Sequence, residues 1–126
     1  VEPNLGITVP TILHSYPASM AALSKISPTD YRLSERFEIF ICGMELANGY
    51  EELTDGLEQR TRFADTLKQR RLRGLPIYPI DEDFILALES GIPDCAGIAL
   101  GLDRLVMLAT GADMIAEVLW APVSGS

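Results

Sequence analysis

The chain has 126 residues, 48% of them apolar, which is room for one domain with a real core. A formal net charge of -8 argues against a general nucleic-acid coat, and no apolar run reaches the roughly 18 residues of a membrane span. Cys42 and Cys95 lie on apolar stretches, and with one histidine there is no Cys/His cluster. Reduced, buried thiols in a cytoplasmic chain are therefore expected, rather than a zinc site. No charged-then-apolar leader is visible, so secretion is not expected. The chain starts at Val1 in what reads as mid-strand context, as expected of a piece cut from a longer protein.

Thr8 to His14 is rich in Val, Ile and Thr and predicts a strand, with Pro10 placing it at an edge or a start. Pro17 to Lys25 predicts a short helix, and Ser27-Pro28-Thr29-Asp30 a turn or a helix start. Arg36 to Cys42, R-F-E-I-F-I-C, alternates with period two and is the strongest strand signal. Met44 to Ala47 reads as a second strand, with Asn48-Gly49 as a turn. Thr54 to Arg73 predicts the longest helix, with capping residues at its start and Gly74 and Pro76 at its end. A helix follows from Asp81 to Leu88, with acids at the positive end of its dipole. Gly97 to Leu102 predicts a buried strand, Asp103 to Ala109 an apolar helix and Ala112 to Glu117 a short one. Val118 to Val123 is an apolar tail, read as a last strand. The order of elements predicts α+β architecture around an antiparallel sheet.

Three constellations carry chemistry. In P-D-C-A-G-I-A-L-G-L-D-R, residues 93 to 104, Gly97, Ala99 and Gly101 leave one face of a strand almost bare. Arg104 follows at the start of a helix, where N–H groups also favour an anion. A nucleotide suits this pattern, base or sugar on the bare strand and phosphate at the arginine. Tight packing of a strand on a helix would produce it too. Glu38, Glu45 and Glu52 recur every seven residues, and Glu38 lies on the face opposite Phe37, Ile39 and Ile41. A carboxylate on so apolar a strand is costly to bury unless it meets a cation. Magnesium shared with substrate phosphates is one such cation, and a substrate ammonium is another. Three solvated glutamates on an edge remain the plainer alternative. Asn48, Gly49 and Tyr50 add an amide and an aromatic wall. Arg60, Arg62, Lys68, Arg70, Arg71 and Arg73 crowd one stretch, either to solvate a helix or to dock an acidic protein or RNA. His14 has no clear base or nucleophile role.

G-I-A-L-G-L-D-R-L resembles motif 3 of class II aminoacyl-tRNA synthetases. E-R-F-E-I-F-I-C-G-M-E-L-A-N-G-Y-E-E-L resembles the lysyl-branch segment that supplies magnesium and lysine ligands. A still closer resemblance is to a lysyl-tRNA synthetase paralogue group, the elongation factor P–(R)-β-lysine ligases. It rests on Y-P-A-S-M-A-A-L, E-L-A-N-G-Y-E-E-L-T-D, R-G-L-P-I-Y-P-I-D and I-P-D-C-A-G-I-A-L-G-L-D-R-L-V-M-L, and it spans essentially the whole chain. Lysyl-tRNA synthetases carry glycine where this chain has Ala99, while the ligases carry alanine, associated with accepting β-lysine over α-lysine.

The resemblance implies a single partial domain over 1–126, the C-terminal portion of a class II antiparallel sheet with flanking helices. Motif 3 would fall at 97–105, with motifs 1 and 2 outside the chain. It implies ATP and Mg2+ as cofactors, Glu38 and Glu45 as metal and ATP ligands, and Gly101 and Arg104 at the ATP, with Arg104 catalytic through the phosphate tail. Asn48, Tyr50, Glu52, Gly97 and Ala99 would line the amino-acid site, Glu52 facing the side-chain ammonium. The expected substrates are (R)-β-lysine or lysine and elongation factor P, in a cytoplasmic homodimer without tRNA. Two other expectations stay open: a lysyl-tRNA synthetase fragment, and a non-catalytic synthetase-like interaction domain.

Overall fold

The computed structural model describes residues 2–121. Its framework is one four-stranded antiparallel sheet in the order β1-β2-β3-β4. The strands are β1 (Thr11–Pro17), β2 (Leu33–Ile41), β3 (Met44–Glu51) and β4 (Ala96–Leu100). Helices α1 (Gly56–Leu72) and α2 (Glu82–Glu89) lie in the connection from β3 to β4, and α3 (Leu102–Thr110) follows β4 directly. The α+β expectation therefore holds, strands first and helices inserted. Phe40, Leu46, Ala47, Leu53, Ile85, Leu88 and Met107 are buried and form its apolar centre. Among the described residues no helix is long and apolar enough to cross a membrane.

Local chemistry sets the boundaries. Asp55 caps α1, its carboxylate accepting from the N–H groups of Leu57 and Glu58, and Asp81 caps α2 through the N–H of Phe84. Gly111, with φ +72°, closes α3 in the left-handed conformation.

Several expectations are corrected. The turn between β2 and β3 is Cys42-Gly43, both at positive φ (54° and 77°), not Asn48-Gly49. Two left-handed residues match the twist of a tight hairpin. β3 then runs on through Asn48 and Gly49, because Gly49 faces Phe37 across the ladder and leaves its ring room. The first strand begins at Thr11 and continues to Pro17, later than predicted. Pro17 to Lys25 is not a helix: Ala18–Met20 makes one 3-10 turn and Ala22 takes φ +52°. Its backbone pairs elsewhere, Ser24 bridging to Glu52 and Lys25 N–H donating to Glu51 O at 2.8 Å.

β4 is an exposed edge strand rather than a buried one, with Ile98 and Leu100 at 56% and 51% exposure. It pairs with β3 on one side, and no layer among the described residues covers those two side chains. Both cysteines are exposed, Cys42 in the hairpin turn and Cys95 just before the edge strand. Near the C-terminus Ile115–Glu117 makes a 3-10 turn, residues 118–121 form no strand, and the rest of the tail lies outside the described residues.

Candidate active site

Register decides which side chains meet. Ser15, at φ +58°, marks an irregularity between His14 and Tyr16 in the pairing of β1 with β2. Across this step β2 has one residue more than β1, Glu35 and Arg36 against Ser15. This brings Tyr16 opposite Ser34, onto the face that β2 presents through Ser34, Arg36 and Glu38. On the other side Arg36 pairs with Tyr50 and Glu38 with Asn48. One strand further, Asn48 pairs with Ala99 and Tyr50 with Gly97. Directly opposed residues share a face. Tyr16, Arg36, Glu38, Asn48, Tyr50, Gly97 and Ala99 therefore lie on one side of the sheet, although they come from four strands.

Glu38 is 6% exposed, too buried to be a solvated edge glutamate. Its Oε1 accepts from a guanidinium N–H of Arg36 and from Asn48 Nδ2 at 3.0 Å. Its Oε2 accepts from the Tyr16 hydroxyl at 2.5 Å. The cation that permits its burial is thus internal. Arg36 also donates to Met20 O at 2.9 Å and lies over the rings of Tyr16 (4.5 Å) and Tyr50 (5.8 Å). Burial, then the hydrogen bond to Glu38, pushes the Tyr16 hydroxyl pKa well above its ordinary value. Two buried polar atoms in this network have no partner, Asn48 Oδ1 and Arg36 Nε.

Glu52 lies beyond the end of β3, held by its N–H to Cys95 O at 2.9 Å and by the bridge to Ser24. Its carboxylate reaches back over Gly97, where a β-carbon would stand 2.5 Å from Oε1. Lys25 fixes the chain beside it, with Nζ at 2.6 Å from Asp94 and 3.3 Å from Glu51. The hydrogen bond to Asp94 raises the Lys25 pKa.

The remaining expected residues gather at the hairpin end. Gly101 caps α3 and donates its N–H to Leu46 O at 2.9 Å. A β-carbon there would be 3.3 Å from Arg104 Cδ, so the bare position makes room for that side chain. Arg104 is half-exposed, donates to Glu45 O at 2.6 Å and approaches the Glu45 carboxylate at 3.8 Å. Both line an open hollow of about 310 Å³ with Phe40, Gly43 and Met44. Glu38 does not line this hollow. Among the described residues no group of three or more His, Cys, Asp or Glu side chains is placed to hold a metal ion unaided.

Sequence reasoning missed Tyr16 and Arg36. The signal for Arg36 was present, two residues before Glu38 on an alternating strand. Tyr16 had none, because the irregularity at Ser15 puts it on that face. Half of the basic stretch serves the fold. Arg60 pairs with Glu82 at 2.6 Å, Arg62 holds the carbonyls of Ala22 (3.0 Å) and Ser24 (2.7 Å), and Arg70 donates to Pro76 O at 2.7 Å. His14 is exposed, its Nδ1 sharing a hydrogen bond of 2.8 Å with Ser15 Oγ.

Residues 6–124 match the family model of tRNA synthetases class II (D, K and N). The chain is 53% identical over 123 residues to the elongation factor P–(R)-β-lysine ligase of Proteus mirabilis (strain HI4320), covering 98% of this chain and 38% of that protein. It is 54% identical over 119 residues to the protein of the same name from Klebsiella pneumoniae (strain 342), covering 94% and 37%. The chain thus spans well under half the length of these relatives.

Proposed function

From the membership of this chain in the class II tRNA synthetase family of the D, K and N kind, we propose that it is the C-terminal part of the catalytic core of an ATP-dependent ligase. The ligase activates (R)-β-lysine and passes it to a lysine side chain of elongation factor P in the cytoplasm, within a homodimer. The names of the relatives support the substrates. The observation that carries the reading is the Glu52 carboxylate held over bare Gly97, on the side where Asn48, Tyr50 and Ala99 converge. A carboxylate beside an aromatic ring and an unpartnered amide oxygen suits a molecule with ammonium groups.

In this reading Glu52 receives the side-chain ammonium. Asn48 Oδ1 is a further acceptor, and Tyr50 walls the pocket. Ala99, paired with Asn48, narrows the floor by one methyl group, a change worth about 1–3 kcal/mol in discrimination between similar substrates. Arg104, free on its outer side beside bare Gly101, neutralises the phosphates of ATP. Glu45, an open carboxylate in the hollow with Arg104, fits Mg2+ and would hold it beside the phosphates. Glu38 keeps one acceptor position on Oε2 but is paired with Arg36 and lies outside that hollow, so it does not fit as the second ligand of the same ion. Magnesium held through one or two carboxylates takes its other ligands from water and phosphate, and its charge offsets theirs. The amino-acid carboxylate attacks the α-phosphorus and pyrophosphate leaves. The acceptor amine then attacks the activated carbonyl, AMP leaves and an amide forms. Positioning and charge neutralisation supply the rate.

A lysyl-tRNA synthetase core is the competing reading, favoured by the description of the matching family. The first test is ATP–pyrophosphate exchange by the full-length protein that carries these residues. Exchange that depends on (R)-β-lysine and needs no tRNA is expected. Exchange with neither lysine isomer contradicts the reading.

A further inference from the structure

We propose that Arg36 is a positioning residue of the amino-acid site, setting the geometry of Tyr50, Glu38 and Asn48 without touching substrate itself. The inference rests on the ligase reading above and deepens it. Arg36 is the residue through which four separate segments meet. Its guanidinium lies over Tyr16 of β1, donates to Met20 in the turn that follows, pairs with Glu38 on β2 and faces the ring of Tyr50 on β3. Its side chain is 15% exposed, so these contacts are largely shielded from water.

Three consequences follow from its chemistry. A planar guanidinium gives flat faces to two rings while its edge donates in fixed directions, which an ammonium cannot do. Tyr50 is thereby fixed from its β2 side, opposite its β4 partner Gly97. The charge of Arg36 also keeps Glu38 an acceptor at full strength in a buried place. Because a carboxylate only accepts, Asn48 must turn Nδ2 toward Glu38, and its Oδ1 is left as the free buried acceptor. Arg36 therefore decides, through Glu38, which end of the Asn48 amide remains for a ligand. Asn48 and Tyr50 stand opposite Ala99 and Gly97, so their orientation shapes the pocket where lysine isomers are told apart.

The test compares Arg36→Lys and Arg36→Met in the full-length enzyme by lysine-dependent pyrophosphate exchange, with thermal melts as the control for folding. Lysine restores the charge without the flat stack, and methionine restores neither. We expect Arg36→Met to raise the KM for (R)-β-lysine at least tenfold and the KM for ATP by much less. Arg36→Lys should recover part of that loss, and the ratio of kcat/KM for the two lysine isomers should move toward unity in both. A purely structural arginine would lower the melting temperature and the amount of active enzyme, leaving both KM values and the isomer ratio unchanged. That result overturns the proposal, as does an equal rise in both KM values. If Arg36→Met does not fold, Arg36→Lys alone decides by its isomer ratio. Wild-type enzyme that exchanges with neither isomer defeats the ligase reading instead, and is told apart because it fails before any variant is compared.

Discussion

The carboxylate of Glu52 lies against the α-carbon of Gly97, so close that a β-carbon there would stand 2.5 Å from Oε1. Glu52 ends one segment and Gly97 opens another, and Cys95 O accepting from Glu52 N–H at 2.9 Å sets their separation. Gly97→Ala should therefore displace the carboxylate rather than disrupt the strand. Amino-acid-dependent exchange should fall at least tenfold in the full-length enzyme while its melting temperature changes little. Wild-type exchange kinetics in that variant would remove Gly97 from the site.

Glu52→Gln keeps shape and removes charge. If this carboxylate faces the substrate ammonium, the variant binds ATP normally and no longer activates the amino acid. ATP binding measured by calorimetry, beside pyrophosphate exchange, separates the two steps. Exchange at the wild-type rate contradicts the assignment.

Ala99 stands opposite Asn48 across the β3–β4 ladder. Ala99→Gly widens the pocket by one methyl group and should shift preference toward α-lysine by roughly tenfold, the scale of one methyl group in a pocket. Relative kcat/KM for the two isomers is the measurement, and an unchanged ratio refutes the role.

Gly49 holds the sheet together where no turn exists. A β-carbon at this position would stand 2.5 Å from Phe37 Cζ and 3.1 Å from Gly97 O. The ring can yield only partly, and the backbone oxygen belongs to the ladder. Gly49→Ala should destabilise by about 1–3 kcal/mol, the usual cost of overpacking. Chemical denaturation of the full-length enzyme would register it, and an unchanged midpoint would show that the ring moves freely.

Tyr16 gives the pH dependence. Burial first, and then its hydrogen bond to Glu38, raise the folded pKa above the unfolded value of 10.0. The neutral phenol is favoured in the folded state, so its stabilisation is fully present below pH 10 and is lost as pH rises beyond it. Stability should fall in alkali, and tyrosinate absorbance should show one tyrosine ionising only as the protein unfolds. In Tyr16→Phe that late step should disappear. Its persistence would assign it to another tyrosine.

Much of this was legible in the sequence, for reasons that are local. The alternation of R-F-E-I-F-I-C announced β2, and Asp55 and Asp81 announced two helix starts. The candidate site residues were named through the resemblance of their segment to the lysyl branch. With Asn48-Gly49 read as a turn, the strand period that puts Asn48 and Tyr50 on one side of β3 went unseen. What stayed hidden was non-local. Asn48-Gly49 has the composition of a turn, and only pairing with Phe37 and Ile98 shows it as ladder. Pro17 to Lys25 has helical composition, yet Ala22 and the bridge from Ser24 to Glu52 bend it into the wall of the site. The internal cation of Glu38 was expected from outside the chain and came from two residues away.

The most direct test offers the full-length enzyme both acceptors at once. It is incubated with ATP, Mg2+ and (R)-β-lysine or α-lysine in the presence of elongation factor P and lysine tRNA, and the products are weighed by mass spectrometry. The ligase account predicts mass added to elongation factor P, more with (R)-β-lysine than with α-lysine, and none on the tRNA. Charged tRNA with unmodified elongation factor P would contradict it and identify a lysyl-tRNA synthetase core.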